Sequence, residues 1–466
     1  MTVFRIDKYN RRRSLSKSQR EHGLLGLSRP NPDPPEITLT EDQQSAVEAL
    51  LAFEKSQAPR FLLTGFAGTG KTTTLQHWVK ASDRKIVLTA PTNKAVRVLR
   101  EQAGEAGLEV PCMTIHRLLK LRMATDAEEK YAYQYDIADL GSHDVVVVDE
   151  CSMVGNDPPP RRRGQEEGRG LHDRIVEECE DAGVKVVFVG DPGQLPPVKE
   201  GRESPSFATP LRASLTTVVR QALESPIIRL ATYVRGEMEG RNPEEPELGE
   251  GVRFVEHDWE FEKLVCGAYA DDPGHATRHK ALAWTNKRVN ALNDAVRASL
   301  WGPSPDRYRE GERHVALQPV IDFEDNRVVQ RLATDEDAVI AGLCEADHPR
   351  YPQYRCLLLD MEGAGGRFST WVVHPDDERA WEDDLRDLAD AARHRRARWE
   401  PFWELKDAFA HLRPHYAMTC HKSQGSTYDH VFVDSRDVLK NSSQWEAWRC
   451  LYVACTRAAK SLTVLR

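Results

Sequence analysis

The sequence predicts an α/β protein built from two open, doubly wound parallel sheets in tandem, each interrupted by a smaller insertion. Three observations lead there. Phe61–Thr64 is an apolar run that empties into Gly65-Phe-Ala-Gly-Thr-Gly70-Lys71-Thr72, where a helix is expected to begin at once. The runs at 85–89, 144–149 and 184–190 are β-branched and apolar on both faces, as covered parallel strands are, and helix-like stretches separate them. The same alternation resumes after residue 208, at 279–285, 416–420, 430–434 and 461–465.

Composition sets the bounds. A chain of 466 residues exceeds a single core and suits two or three domains. It is 40% hydrophobic and 29% charged, with a net charge of −9, so any nucleic-acid site must be a local groove on an acidic protein. No stretch approaches the roughly 18 apolar residues of a membrane span, and Met1–Arg13 lacks the apolar core of a secretion signal. The nine cysteines show no paired C-x-x-C spacing, which suits reduced thiols better than disulfides or zinc. A cytoplasmic protein without membrane association is the expectation.

In chain order, residues 1–35 form a basic arm and proline-rich linker. Residues 1–30 hold eight Arg and Lys against Asp7 and Glu21, a charge of +6 that leaves −15 for the rest. The arm is either a segment that meets phosphates or a solvated tail. Pro30–Pro35 ends it, because prolines at that density join neither helices nor central strands. A capped helix follows, with Thr40 as N-cap and Gln43 at the capping-box position. The first α/β domain spans about 36–207. Two stretches interrupt it: a charged, tyrosine-rich insertion at 120–143 that suits a hairpin, and a Pro/Gly/Arg-rich surface loop at 155–172. The second α/β domain comprises 208–304 and 412–466. Between its halves, 305–411 carries five short β-rich runs (314–321, 327–333, 337–343, 354–360, 369–374) that read as a small barrel, then a charged helical stretch at about 376–411.

The chemistry sits at strand ends. In G-x-x-x-x-G-K-T, small residues let successive backbone N–H groups wrap phosphate oxygens at the positive end of a helix dipole. Gly65, Gly68, Thr69, Gly70, Lys71, Thr72 and Thr73 are the expected nucleotide contacts, with Lys71 on the β/γ-phosphates and Thr72 on Mg²⁺. Val145–Val148 ends in Asp149 and Glu150: Asp149 to hold Mg²⁺, Glu150 to polarise the attacking water. Gln194, in a proline-stiffened loop after the 184–190 strand, is placed to sense the γ-phosphate or that water. Arg220 and Arg457 each lie among apolar residues, where they serve either the γ-phosphate or structural ion pairs. The polar loops at 90–94, 113–116 and 417–427 offer Thr, Asn, His and Lys suited to phosphate and sugar oxygens without base readout. Neither His116 nor His421 has a metal-ligand set at recognisable spacing, and no Ser-His-Asp pattern is present.

The order of these pieces resembles superfamily 1 helicases, in their RecD/Dda-like branch, over residues 37–466. LTEDQQSA resembles the Q motif, GFAGTGKT motif I, APTNKAV motif Ia, TIHRLL motif Ib, VVVDECSMV motif II, GDPGQLPPV motif III, LTTVVRQ motif IV, MTCHKSQGSTYDHVFVD motif V and LYVACTRA motif VI. The resemblance implies two RecA-like P-loop NTPase domains in tandem, with a strand-separating pin at 120–143 and an SH3-like β-barrel at 305–411 bearing on DNA. It implies an ATP-dependent DNA helicase that moves 5′→3′ on single-stranded DNA and opens duplex junctions, acting as a monomer on DNA. Lys71, Asp149, Glu150, Gln194, Arg220 and Arg457 would form the ATPase site, with Gln43 at the adenine and Gly425 near the nucleotide. Pro91, Thr92, Asn93, Lys94, Thr114, His116, Asn286, Thr419, His421 and Lys422 would line the DNA track. Residues 1–35 and 155–172 lie outside the family pattern and are candidate contacts for replication, repair or other nucleoprotein partners. Two other outputs fit the same motifs: a DNA- or RNA-stimulated translocase that remodels nucleoprotein with little unwinding, and a nucleotide-gated recruitment module.

Overall fold

The structure, a computed structural model, describes residues 38–124, 132–135, 140–157, 169–198, 200–219, 224–241, 243–244, 246–272, 277–303, 306–324, 327–394 and 398–466. The arm at 1–35, the middle of the 120–143 insertion, the Arg-rich centre of the 155–172 loop and Arg220 lie outside the described residues.

The first half supplies β1 (Arg60–Gly65), β2 (Ile86–Ala90), β3 (Cys112–Thr114), β4 (Leu121–Ala124), β5 (Ala132–Tyr135), β6 (Val145–Val148), β7 (Lys185–Gly190) and β8 (Arg212–Leu215). Six of them make one parallel sheet in the order β3-β2-β6-β7-β1-β8. The pairs Thr64↔Gly190, Thr89↔Val148 and Ala90↔Thr114 bring the strand ends, and the loops that follow them, to a common edge. Alternation along the strands sends side chains to two apolar layers. Phe61 and Leu63 join Leu50, Trp78 and Leu99 on one face. Leu62 joins Ile175 and Phe188 on the other. Each such side chain taken fully from water stabilises the fold by about 1.5–3 kcal/mol.

The sheet runs past the expected domain limit at 207, because β8 pairs in parallel with β1 through Leu62↔Arg212 to Gly65↔Leu215. Arg-Ala-Ser-Leu is short, and only its last residue is buried, so it lacks the apolar signature of the other strands. β4 and β5 pair antiparallel from Leu121↔Tyr135 to Ala124↔Ala132, a hairpin at the expected insertion.

The second half begins with β9 (Val252–Val255), which the sequence reading did not mark, and β10 (His279–Ala283). The chain then leaves for an insertion containing β11 (Arg313–Ala316), β12 (Val320–Glu324), β13 (Arg327–Leu332), β14 (Asp337–Asp347), β15 (Arg355–Gly363), β16 (Gly366–Val373) and β17 (Leu412–Pro414). It returns as β18 (Ala417–Thr419), β19 (Tyr428–Asp434) and β20 (Ala458–Leu465). The second parallel sheet has the order β18-β10-β19-β20-β9.

The insertion departs from the expected arrangement of five strands. Its sheet is antiparallel in the order β16-β15-β14-β11-β17, while β12 and β13 pair with each other as a separate ribbon. The run expected at 314–321 is split into β11 and β12 with Pro319 between them, a residue that cannot donate to a ladder. β17 pairs with β11 through Ala316↔Leu412, so the segment from 412 completes the insertion's sheet before rejoining the second domain. Val320 and Leu332 of the ribbon share one core with Ile340, Leu359 and Leu412 of the sheet. The charged stretch at 376–411 contains helices Glu378–Arg393 and Glu400–Asp407. No helix among the described residues is long and apolar enough to cross a membrane.

Candidate active site and nucleic-acid interface

β1 ends at Gly65, and the loop after it turns through Gly68 and Gly70, with φ of 79° and 80°, into helix Lys71–Ala81. Glycine is needed at 70 for a second reason: a Cβ there would lie 2.1 Å from Gln43 Nε2. Thr40 and Gln43 form the expected capping box on helix Glu41–Lys55. Gln43 Oε1 accepts the Thr40 N–H at 3.0 Å, and its Nε2 donates to Thr69 O at 3.0 Å. Both ends of this amide bond within the protein, so here Gln43, 2% exposed, braces the glycine loop. Lys71 Nζ donates to Gly65 O at 2.6 Å and Phe66 O at 3.2 Å, and lies 3.8 Å from Asp191 Oδ2. Thr72 and Thr73 follow, half-buried in the first helical turn.

Asp149 and Glu150 follow β6 directly, and Asp149 N–H donates to Thr89 O at 2.8 Å. Glu150 has a φ of 51°, a left-handed conformation that costs a non-glycine residue about 1–3 kcal/mol and that surrounding structure must enforce. Burial first, and the Glu150 carboxylate next, push the Asp149 carboxyl well above the usual range. Burial pushes Glu150 up as well, while Arg457, Lys71 and a hydrogen bond from Gln194 favour its charged form. Two half-buried carboxylates side by side supply oxygen donors of the kind that fits a divalent cation, with Lys71 and Arg457 balancing their charge. The loop suits the phosphates of a nucleotide through its glycines: Gly68 and Gly70 hold left-handed conformations that wrap the backbone ahead of the helix, and a Cβ on Gly65 would fall 2.4 Å from Thr69 Oγ1, so no side chain fits there.

The second domain covers this loop. Tyr452, on helix Gln444–Cys455, accepts the Ala67 N–H at 2.8 Å and donates to Asp191 Oδ2 at 2.8 Å. Arg235 lies over the Phe66 ring at 4.2 Å. Arg449 donates to Pro192 O, to Gln194 O at 2.7 Å and to Glu203 Oε1 at 2.7 Å. Gln424 Nε2 donates to Gln194 Oε1 at 2.9 Å and to Ser152 Oγ at 3.2 Å. Arg457, 7% exposed, donates to Val453 O, Ser426 O and Thr456 Oγ1 and orders its own domain's loops while its charge acts on Glu150. For Arg220 the nearest described neighbour is Val219, whose N–H donates to Gly68 O at 2.9 Å.

Sequence reasoning missed Tyr452, Arg449, Asp191, Gln424 and Arg235. Tyr452 and Arg449 stand five and eight residues before Arg457, within the largely buried second half of helix Gln444–Cys455, and polar groups among those apolar residues were the available signal.

The polar loops expected to form a track come from equivalent corners of the two sheets. Thr92 caps helix Asn93–Glu105 after β2, and Thr114 caps Ile115–Leu118 after β3. Thr285 caps Asn286–Trp301 after β10, and Thr419 caps Cys420–Ser423 after β18. Each Oγ1 accepts a first-turn N–H, at 3.2, 3.1, 3.2 and 3.4 Å in turn. The threonines therefore build four helix starts, and Thr285 belongs with the three expected ones. Pro91 and Lys94 are half-buried beside exposed Asn93. Burial pushes the His116 imidazole down. Asn286 Oδ1 accepts from Arg413 Nη1 at 3.1 Å. Gly425 packs against Ala95, where a Cβ would be 3.4 Å from the Ala95 Cβ, so its contact is with helix Asn93–Glu105.

One expectation about histidines is corrected. His421 does have potential ligand neighbours: its ring lies with Glu446 and Cys450, ligand atoms within 4.8 Å of one another, because helix Gln444–Cys455 packs on Cys420–Ser423. His421 Nε2 is 3.1 Å from Glu446 Oε1, and burial pushes the Cys450 thiol up to about 12, which leaves it protonated and a poor ligand.

Comparison with known proteins agrees in both halves of the chain. The AAA domain family matches residues 38–245 and the UvrD-like helicase C-terminal domain family matches 414–465. The RecBCD enzyme subunit RecD of Mycobacterium tuberculosis is 31% identical over 97% of this chain and 72% of its own length. The ATP-dependent DNA helicase dda of Enterobacteria phage T4 is 24% identical, covering 90% of this chain and 97% of the relative. A crystal structure of Pif1 helicase from Bacteroides with ADP-AlF3 and ssDNA aligns over 92% of both chains at 16% identity, with a TM-score of 0.47.

Proposed function

The chain belongs to the RecD/Dda-like branch of the superfamily 1 helicases, and we propose from that premise that it is an ATP-dependent DNA helicase working 5′→3′ on single-stranded DNA. The observation that carries the reading is the side chain of Gln194. It accepts from Gln424 of the opposite domain at 2.9 Å and lies beside Glu150, the expected general base, whose charged form it favours. A group that touches both the hydrolytic carboxylate and the neighbouring domain can make hydrolysis depend on domain closure.

In this mechanism Lys71 and the N–H groups of Gly68–Thr72 hold the phosphates of ATP, and Arg220 and Arg457 meet the γ-phosphate from the second domain. Thr72 and Asp149 would hold Mg²⁺, which supplies charge neutralisation on the phosphates. Glu150 orients a water and takes its proton, and the anionic form favoured by Arg457 and Lys71 is the one that can do so. Closure draws Thr92, Asn93, Lys94, Thr114 and His116 toward Asn286, Thr419, His421 and Lys422. Opening after hydrolysis releases one set before the other, and alternating grip advances the protein along the backbone. Grip on phosphates makes binding tolerant of sequence and sensitive to salt.

Two finer assignments belong to the same reading. The β4–β5 hairpin serves as the strand-separating pin, and the insertion from β11 to β17 serves as an SH3-like element that bears on the DNA. The protein acts as a monomer at duplex junctions, with residues 1–35 and 155–172 available to nucleoprotein partners. Replacing Lys71 by Ala tests the core of the proposal. The variant is expected to lose DNA-stimulated ATP turnover and unwinding yet keep binding to a single strand; unwinding by Lys71→Ala would overturn it.

A further inference from the structure

The turn between β13 and β14 lies on the cations that the strand would need. Asp335, in that turn, pairs through Oδ1 with Lys422 Nζ at 2.8 Å. A cavity of about 870 Å³ is lined by Lys94 of the first domain, Lys280 of the second and Arg313, Asp335 and Asp337 of the insertion, with the loop Gly425–Tyr428 closing one side. Within it, Arg313 Nη1 pairs with Asp337 Oδ2 at 2.6 Å. Lys280, 2% exposed, donates to His415 O and lies 5.3 Å from the Tyr428 ring. Burial lowers the pKa of Lys94, against which Asp335 and Asp337 favour its charged form.

The turn is held firmly in this position. Asp335 has a φ of 65°, and its N–H donates to Ala316 O at 2.8 Å. Ala333 N–H donates to Glu336 Oε2 at 2.8 Å, and Ala316 N–H donates to Glu336 O at 2.9 Å. A non-glycine residue in the left-handed region persists only where its surroundings over-determine it. Here β11 fixes the backbone, and the carboxylates of Asp335 and Asp337 are presented to Lys422, Lys94 and Arg313.

We propose that the turn Ala333–Asp337 is a built-in mimic of the nucleic-acid backbone, occupying a phosphate subsite made by Lys94 and Lys422 that a single strand must take over to engage the track. The inference rests on the helicase reading above and adds a regulation to it. A carboxylate on a lysine ammonium makes the charge-assisted bond that a phosphate oxygen would make. Strand and turn therefore compete for the same cation, and capture of the strand frees the insertion from the two α/β domains. A weak or short strand leaves the turn in place.

Asp335→Asn tests this with little disturbance of the fold, because Asn has the same shape and is among the residues best tolerated at positive φ. Binding of fluorescent oligo(dT) by the full chain, followed by anisotropy at fixed salt, should tighten roughly two- to fivefold, the size of a partly exposed ion pair. The gain should vanish when Lys422→Ala is the starting background, as a double-mutant cycle for one shared partner requires. Unchanged or weaker binding by Asp335→Asn overturns the inference, as does a gain that survives in the Lys422→Ala background. A wild-type chain whose ATP turnover ignores oligo(dT) overturns the helicase reading, and this inference with it.

Discussion

Gln424 of the second domain donates a 2.9 Å hydrogen bond to Gln194 of the first. The same Gln194 side chain lies beside the half-buried Glu150 carboxylate and favours its charged form, so one glutamine joins the acid after β6 to the segment 420–427 that carries His421 and Lys422. A line of contact thus runs from the expected hydrolytic centre to the expected grip on the strand.

Gln424→Ala cuts that line without touching the glycine loop. A net hydrogen bond contributes about 0.5–1.5 kcal/mol, which converts to roughly two- to tenfold in rate. Turnover stimulated by single-stranded DNA is expected to fall by that factor, while the affinity for a non-hydrolysable ATP analogue stays within about twofold of wild type. Steady-state ATPase with and without oligonucleotide checks this; equal losses in both conditions would contradict it.

Tyr452→Phe keeps the ring but removes the hydroxyl that accepts from Ala67 and donates to Asp191. Tyr452 is 1% exposed, so water cannot replace the lost partner in this conformation. Leaving the buried groups unpaired costs about 1–3 kcal/mol. The nucleotide-free variant is expected to melt at a lower temperature than wild type. An ATP analogue should narrow the difference, because phosphate oxygens then accept from the loop. A melting temperature equal to wild type in both conditions would count against this.

His314 gives the fold an acid sensitivity whose sign follows from its burial. It is fully buried, and desolvation, with Arg297 and Arg307 adding to it, lowers its pKa from 6.5 to about 3. Below 6.5 the unfolded chain takes up a proton that the folded chain refuses until about pH 3. Stability therefore falls as pH drops through that window, by roughly 2 kcal/mol from this group at pH 5. His314→Gln should flatten the dependence of the urea midpoint on pH between about 6.5 and 4.5. An unaltered slope would show that His314 is not the group responsible.

What the sequence made legible was contiguous. Gly65–Thr72 and Val145–Glu150 each place strand, turn and chemistry within a few residues, and the Thr40–Gln43 capping box repeats its own pattern. Short or half-polar strands were not legible: β8, β9 and β17 are four, four and three residues long, and their membership depends on partners elsewhere in the chain. The interdomain contacts were beyond reach for a different reason. Tyr452 meets Ala67 across 385 positions and Gln424 meets Gln194 across 230, separations over which local pattern carries no information. The threonines at 92, 114 and 419 were correctly singled out as polar strand ends, yet their side chains first serve as helix caps. A hydroxyl near a helix start satisfies its own backbone before it meets a ligand.

The central claim is that ATP hydrolysis between the two α/β domains drives the chain along one strand in the 5′→3′ direction. Strand displacement with ATP on matched duplexes bearing a 5′ or a 3′ single-stranded tail tests it most directly. The account predicts unwinding of the 5′-tailed duplex, none of the 3′-tailed duplex, and none of either by Lys71→Ala; preferential unwinding from the 3′ tail, or unwinding by Lys71→Ala, would contradict it.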